Sequence, residues 1–201
     1  MGQSQVQVPP ETITRAACTS GARIRGSSNG FSAFAISAEL RTMPLMKIAL
    51  GADHAGFELK DRIKQYLQQK GLEVTDHGAN SPESVDYPDF ARLVGHDVSR
   101  READLGILVC GSGIGMAIAA NKVESVRAAH VSSEYEARMS REHNNANVLA
   151  LGARILSPEQ AIAIVETWLG AQFAGGRHER RVGKIAQIER EEARAALAAE
   201  K

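Results

Sequence analysis

Residues 103–121 read Ala-Asp-Leu-Gly-Ile-Leu-Val-Cys110-Gly-Ser-Gly-Ile-Gly115-Met-Ala-Ile-Ala-Ala-Asn121, and the fold follows from how this stretch divides. Leu105, Ile107, Leu108 and Val109 form a short apolar run, the pattern of a strand buried on both faces. Cys110 to Gly115 is a glycine-rich turn, and Met116 to Asn121 is good helix material. Strand, glycine turn and helix start, in that order, aim several backbone N–H groups at one spot, where the helix dipole favours an anion. Glycine lets the backbone turn tightly there and lets a ligand approach it closely. Cys110 and Ser112 add a thiol and a hydroxyl at the rim.

Outward from this centre the chain alternates strands and helices. Lys47 to Ala52 reads as a strand, followed by a turn at Asp53-His54-Ala55-Gly56. Leu59, Ile63, Tyr66 and Leu67 then recur at helical spacing up to Gly71, a natural stop. Leu72 to Thr75 is a second strand, Asp76 to Asp86 a loop, and Pro88 suits the first position of a helix carrying Phe90, Leu93, Val94 and Val98. Val126 to Val131 and Val148 to Leu151 supply the fourth and fifth strands, separated by a polar helix over 133–142. Ser157-Pro158-Glu159-Gln160 opens another helix with a Ser cap and Gln three residues on, running to about Trp168. A charged helix closes the chain from about His178 to Ala199. The alternation predicts an α/β fold, a doubly wound, Rossmann-like parallel sheet of five strands with helices on both faces. Ligands bind such sheets beyond the carboxyl ends of the strands. That puts Asp53, His54 and Cys110 to Gly115 on one edge, beside the loops after strands four and five.

Residues 1–45 differ. They mix Ser, Gly, Pro, Thr and Arg without sustained periodicity and read as a disordered extension. An upstream start, with the domain of residues 46–201 opening at Met43 or Met46, accounts for them; a faint organellar transit peptide is the other reading. Twenty-four basic residues balance 24 acidic ones among 201, so no overall charge drives the chain to nucleic acid or membrane surfaces. Its two cysteines lie far apart, and its six histidines lack metal-ligand spacing. No apolar run approaches the ~20 residues that span a bilayer.

The glycine turn departs from the dinucleotide-binding fingerprint. Met116 stands where the third glycine of G-x-G-x-x-G belongs, and the turn follows the third strand rather than the first. No G-x-x-x-x-G-K-[ST] motif is present either. Cys110 ends its strand just before a helix, a setting in which thiols ionise below their usual value of about 8.5, so a reactive thiol is favoured over a buried apolar one. Arg177 and Arg181, four apart at a helix start, either clamp a phosphate together or form a solvated face. Asp53 has a plain reading as a cap on the first helix.

Five motifs in order carry a resemblance. They are Gly51-Ala-Asp53-His54-Ala-Gly56-Phe, Val85-Asp-Tyr87-Pro-Asp89, Cys110-Gly-Ser-Gly-Ile-Gly-Met116, Ser140-Arg-Glu-His143-Asn144-Asn-Ala-Asn147 running on to Arg154, and Gly175-Gly-Arg177-His-Glu-Arg-Arg181-Val. Together they make residues 46 to about 188 resemble the type B ribose-5-phosphate isomerases, whose family also includes galactose-6-phosphate isomerase subunits. The resemblance implies an enzyme of the non-oxidative pentose phosphate pathway that interconverts ribose 5-phosphate and ribulose 5-phosphate through an enediolate, without metal or cofactor. It implies Cys110 as the base, Ser112 beside it, and Gly111, Gly113 and Gly115 as the anion hole. Asp53 and Tyr87 match sugar contacts, His143 with Asn144 the ring-opening position, and His54, Arg154, Arg177 and Arg181 the phosphate and substrate-end contacts. Some members carry a Glu base at the Met116 position; Met116 with Cys110 places this chain in the cysteine subgroup. The resemblance further implies a cytoplasmic homodimer or homotetramer whose site is shared, with His143 and Arg154 of one subunit facing Cys110 of the other. A six-carbon sugar phosphate isomerase is the alternative within the same chemistry, and a sugar-phosphate- or nucleotide-binding module without turnover is the alternative outside it.

Overall fold

The computed structural model describes residues 45–199; the expected extension, up to residue 44, lies outside them. The elements run β1 (Lys47–Ala52), α1 (Phe57–Gln69), β2 (Glu73–Asp76), α2 (Tyr87–Ser99), β3 (Leu105–Cys110), α3 (Ile114–Ala120), β4 (Ala128–His130), α4 (Glu134–Asn144), β5 (Val148–Gly152), α5 (Pro158–Gly170) and α6 (Arg177–Ala199). The five strands form one sheet in the order β2-β1-β3-β5-β4, and every pairing is parallel. The chain leaves β1 for β2 on one side and returns to β3 on the other, so the winding reverses between β1 and β3. In doubly wound sheets that switch point opens a crevice at the carboxyl ends of the two strands.

Alternation along the strands builds two cores. Ile48, Leu50, Ile107, Val109, Leu149 and Leu151 face one way, against Ile63 and Leu67 of α1 and Ile164 and Trp168 of α5. Ala49, Leu108, Cys110, Val148 and Ala150 face the other, against Val94 of α2 and Met116 of α3. That second face is built of small residues, so α2 lies close; a Cβ on Gly106 would sit 2.6 Å from Val94 Cγ1. Ser157 caps α5 with the expected reciprocal pair to Gln160.

Two expectations shift. The fourth strand shortens from Val126–Val131 to Ala128–His130, because β4 is an edge paired only with β5. The Arg127 N–H is taken instead by the Asn147 side chain at 2.7 Å, and Val126 N–H closes a turn onto Val123 O. Asp53 does not occupy the N-cap of α1, which is Gly56. Its Oδ1 accepts the N–H groups of Ala55 and Gly56 at 2.9 and 3.0 Å, shaping the turn before the helix.

Lys60 of α1 is 0% exposed, although a helical lysine in sequence reads as surface. Its Nζ meets Asp76 Oδ1 at 2.9 Å and Asn80 Oδ1 at 3.2 Å, and Lys64 reaches Asp76 Oδ2 at 2.9 Å. Burial acts to raise the Asp76 carboxyl. Hydrogen bonds from Lys64, the Gly78 N–H and Lys60, with the Lys60 charge, outweigh it and hold the group below its ordinary value. A carboxyl lowered by folding stabilises the fold at neutral pH and stops doing so once pH falls through its folded value, here below about 4. Lys60→Met strips one cation from a half-buried carboxylate. Breaking such a pair costs ~3–5 kcal/mol, less here because Lys64 remains. The expected drop in Tm is about 5–10 °C at pH 7, shrinking at pH 3; an unchanged Tm at pH 7 refutes it.

Candidate active site

The crevice at the switch point holds a pocket of about 420 Å³ lined by Asp53, His54, Tyr87, Cys110, Gly111, Ser112, Gly115, Arg154 and Ile155. Such a volume suits a small molecule. The end of β1 supplies Asp53, 7% exposed, whose N–H donates to Val109 O at 3.2 Å and so fastens the turn to β3. His54 follows, its Nδ1 accepting the Val85 N–H at 3.3 Å. With Nδ1 so engaged, the neutral ring carries its proton on Nε2.

Cys110 ends β3 at 5% exposure and is a free thiol. Its Sγ accepts the Gly113 N–H at 3.1 Å. Gly113 is fixed here twice over: its φ is +79°, and a Cβ would lie 2.6 Å from His130 Cδ2 and 2.9 Å from the Leu151 carbonyl carbon. A Cβ on Gly115 would meet the Tyr87 ring at 2.9 Å, so the phenol lies directly against the turn. Among the described residues, the N–H groups of Gly111, Ser112 and Gly115 find no acceptor within the chain. α3 has only seven residues, so these unengaged donors, more than a long-range dipole, make the turn electropositive.

The loop after β5 closes the far wall. Arg154 N–H donates to Gly111 O at 3.0 Å, and its side chain passes over Gly111, with Cδ and Nε 3.4 Å from where a Cβ would be. Arg154 therefore belongs with Cys110 of its own chain. The expectation that it faces Cys110 across a subunit boundary is corrected by this geometry.

The remaining sequence candidates gather elsewhere. His143 and Asn144 end α4, which runs antiparallel to the strands and so delivers them to the amino edge of the sheet. Gly106 N–H, at the start of β3, donates to Asn147 O at 2.9 Å, three residues past Asn144. Gly106 to Cys110 spans four residue steps of β3, about 13 Å at the usual rise. Opposite His143, the first turn of α6 carries Arg177, His178 and Arg181. The His143 and His178 rings stack at 4.2 Å between centroids, 6° from parallel. Arg177, Arg181 and Asn144 are exposed. Among the described residues, none of Arg154, Arg177 and Arg181 is in an ion pair. One chain thus carries two incomplete clusters: a thiol with free amides at one edge, and a histidine with unpaired arginines at the other.

The profile of the Ribose/Galactose Isomerase family matches residues 48–185. The chain belongs to that family. Among the relatives is the ribose-5-phosphate isomerase B of Escherichia coli, 50% identical over 145 residues, covering 72% of this chain and 97% of that protein. Another is the D-erythrulose-4-phosphate isomerase of Pectobacterium atrosepticum, 46% identical over 149 residues, 74% of this chain and 98% of that one. A solved structure of Mycoplasma genitalium ribose-5-phosphate isomerase B with bound ribulose 5-phosphate superposes with a TM-score of 0.71 at 46% identity, covering 73% of this chain and 97% of that one. The doubly wound fold of the family is the one seen here, with α6 as its long last helix.

Sequence reasoning left His178 without a role. The signal was present, since it sits inside the last motif between two arginines, but only the fold brings its ring onto His143.

Proposed function

We propose that this protein is an aldose–ketose isomerase that interconverts ribose 5-phosphate and ribulose 5-phosphate. One observation carries the reading. A buried thiol stands at the switch-point crevice, engaged by the Gly113 N–H and flanked by the unengaged N–H groups of Gly111, Ser112 and Gly115. Isomerisation removes a proton from the carbon next to a carbonyl and returns it to the neighbouring carbon. It needs a base and a fixed positive field where the enediolate oxygen charge develops. As thiolate, Cys110 takes the C2 proton of the open-chain aldose, its electrons form the C1–C2 double bond, and the carbonyl oxygen becomes the enediolate oxygen held by the free amides. The resulting thiol then returns the proton to C1 while the C2 hydroxyl proton passes to the C1 oxygen, so that the C2 oxygen becomes the ketone and the C1 oxygen a hydroxyl. The Gly113 N–H hydrogen-bonds the thiolate. Ser112, at the pocket rim, contacts the sugar hydroxyls together with Asp53 and Tyr87.

Ribose 5-phosphate arrives mainly as a closed ring, so an acid–base group must also open it. His143, with Asn144, has that role, and His54, Arg154, Arg177 and Arg181 hold the phosphate and substrate end. His143 and Cys110 lie at opposite edges of one sheet, so the working site joins the Cys110 cluster of one chain to the His143 cluster of a second copy in a twofold dimer. Exposed Ile155 at the pocket, Ile114 and Ile118 on α3, and Ile185 and Ile188 on α6 support such a contact. A catalytic free thiol fits the reducing cytoplasm.

The Pectobacterium relative makes a four-carbon substrate the second reading. The test is a coupled assay on the purified chain with the four-carbon aldose 4-phosphate, ribose 5-phosphate and a six-carbon aldose 6-phosphate. The expected order places ribose 5-phosphate highest in kcat/KM, and a higher value for either of the others overturns the pentose assignment.

A further inference from the structure

His178 is 8% exposed and comes from the first turn of an otherwise exposed helix. Four contacts fix its place. Its own N–H donates to Gly175 O at 3.1 Å, closing the turn made by Gly175 and Gly176. The Ala174 N–H donates to Glu142 O at 3.0 Å, which ties that turn to the end of α4 beside His143. Its ring then lies flat on the His143 ring, while its Nε2 faces Arg177 Nε at 3.3 Å.

The arginine nitrogen can only donate, so Nε2 is the acceptor and carries no proton. The His178 ring is therefore neutral, with its hydrogen on Nδ1. Partial burial, helped by the nearby charges of His143, Arg177 and Arg181, pushes this imidazole below its ordinary value in the same direction. A neutral ring stacks on His143 whether His143 is neutral or protonated, whereas two stacked imidazolium ions would repel. The partner ring thus loses rotational freedom without losing its ability to exchange a proton.

We infer that His178 is a positioning residue that serves both halves of the His143 cluster: its ring face orients His143, and its Nε2 orients the Arg177 guanidinium. The inference rests on the isomerase reading, in which His143 opens the sugar ring and Arg177 binds phosphate. One side chain then couples the angle of the acid–base group to the position of the phosphate clamp.

The two contacts can be separated by substitution. His178→Phe keeps a flat face and removes the acceptor; His178→Gln keeps an acceptor and removes the face. kcat and KM are measured for ribose 5-phosphate, with the inhibition constant of inorganic phosphate and thermal melting of each full-length variant. His178→Phe is expected to raise KM and the phosphate constant about tenfold, since a hydrogen bond orienting a charged group is lost, with kcat within about twofold of wild type. His178→Gln is expected to do the reverse, lowering kcat about three- to tenfold while the phosphate constant holds. Equal changes in both variants, or changes that follow melting temperature alone, reduce His178 to a packing residue and overturn the proposal, as do unchanged kinetics. A wild-type chain that turns over no sugar phosphate instead refutes the isomerase reading itself.

Discussion

Cys110→Ser is expected to lower kcat at least about a hundredfold while KM for ribose 5-phosphate changes little, because a positioned general base contributes 10²–10⁴-fold. The substitution leaves the pocket almost intact. The side chain is buried at the end of β3, and a hydroxyl can still accept the Gly113 N–H that now meets Sγ at 3.1 Å. What changes is the acid–base chemistry: a serine hydroxyl has no appreciable anion near neutral pH, and among the described residues the one hydrogen bond at Sγ comes from the Gly113 N–H, not from a side-chain base. Arg154, Asp53 and His54 remain in place, so substrate binding survives. A steady-state assay in both directions decides it. A variant that keeps more than about a tenth of the wild-type kcat shows that another group moves the proton. Met116, at the position where a glutamate base would stand, has no ionisable group to take over.

The sheet was legible because buried parallel strands and amphipathic helices are written in local periodicity. Leu105 to Val109 is apolar on both faces, and the spacing of Leu59, Ile63 and Leu67 admits only a helix packed on one side. The Cys110 pocket was legible for the same reason: a strand end, a turn and a helix start are contiguous in sequence. Lys60 was not. Its burial depends on Asp76, sixteen residues away on another element, and nothing near Lys60 in sequence announces that partner. The order β5 before β4 at the sheet edge was equally hidden, since apolar runs state that a strand is buried but not beside which neighbour. The resemblance set His143 and Arg154 together against the Cys110 of a second subunit, and the two are only eleven residues apart. Yet β5 lies between them, and traversing it carries the chain from the amino edge to the carboxyl edge of the sheet. Strand direction therefore separates the two and leaves Arg154 beside Gly111 and Cys110 of its own chain.

That separation gives the second large effect, restored activity from two inactive chains. In the proposed dimer each site takes Cys110, with its amides and Arg154, from one chain and His143, Asn144, Arg177 and Arg181 from the other. Cys110→Ser homodimers lack the base at both sites, and His143→Ala homodimers lack the ring-opening group at both. A heterodimer of the two has one site with wild-type Cys110 facing wild-type His143, and one site broken twice. Random pairing makes about half of all dimers mixed, so joint refolding of equal amounts is expected to recover about a quarter of the wild-type rate. The comparison is with the mean of the two variants assayed separately, so residual turnover in either one does not obscure the gain. Heterodimers are verified by two-affinity-tag purification before assay. If they form and show no more activity than that mean, Cys110 and His143 do not meet across a subunit boundary. The edge-to-edge distance within one chain, about 13 Å along β3 alone, would then have to be closed by movement of α4 and α6.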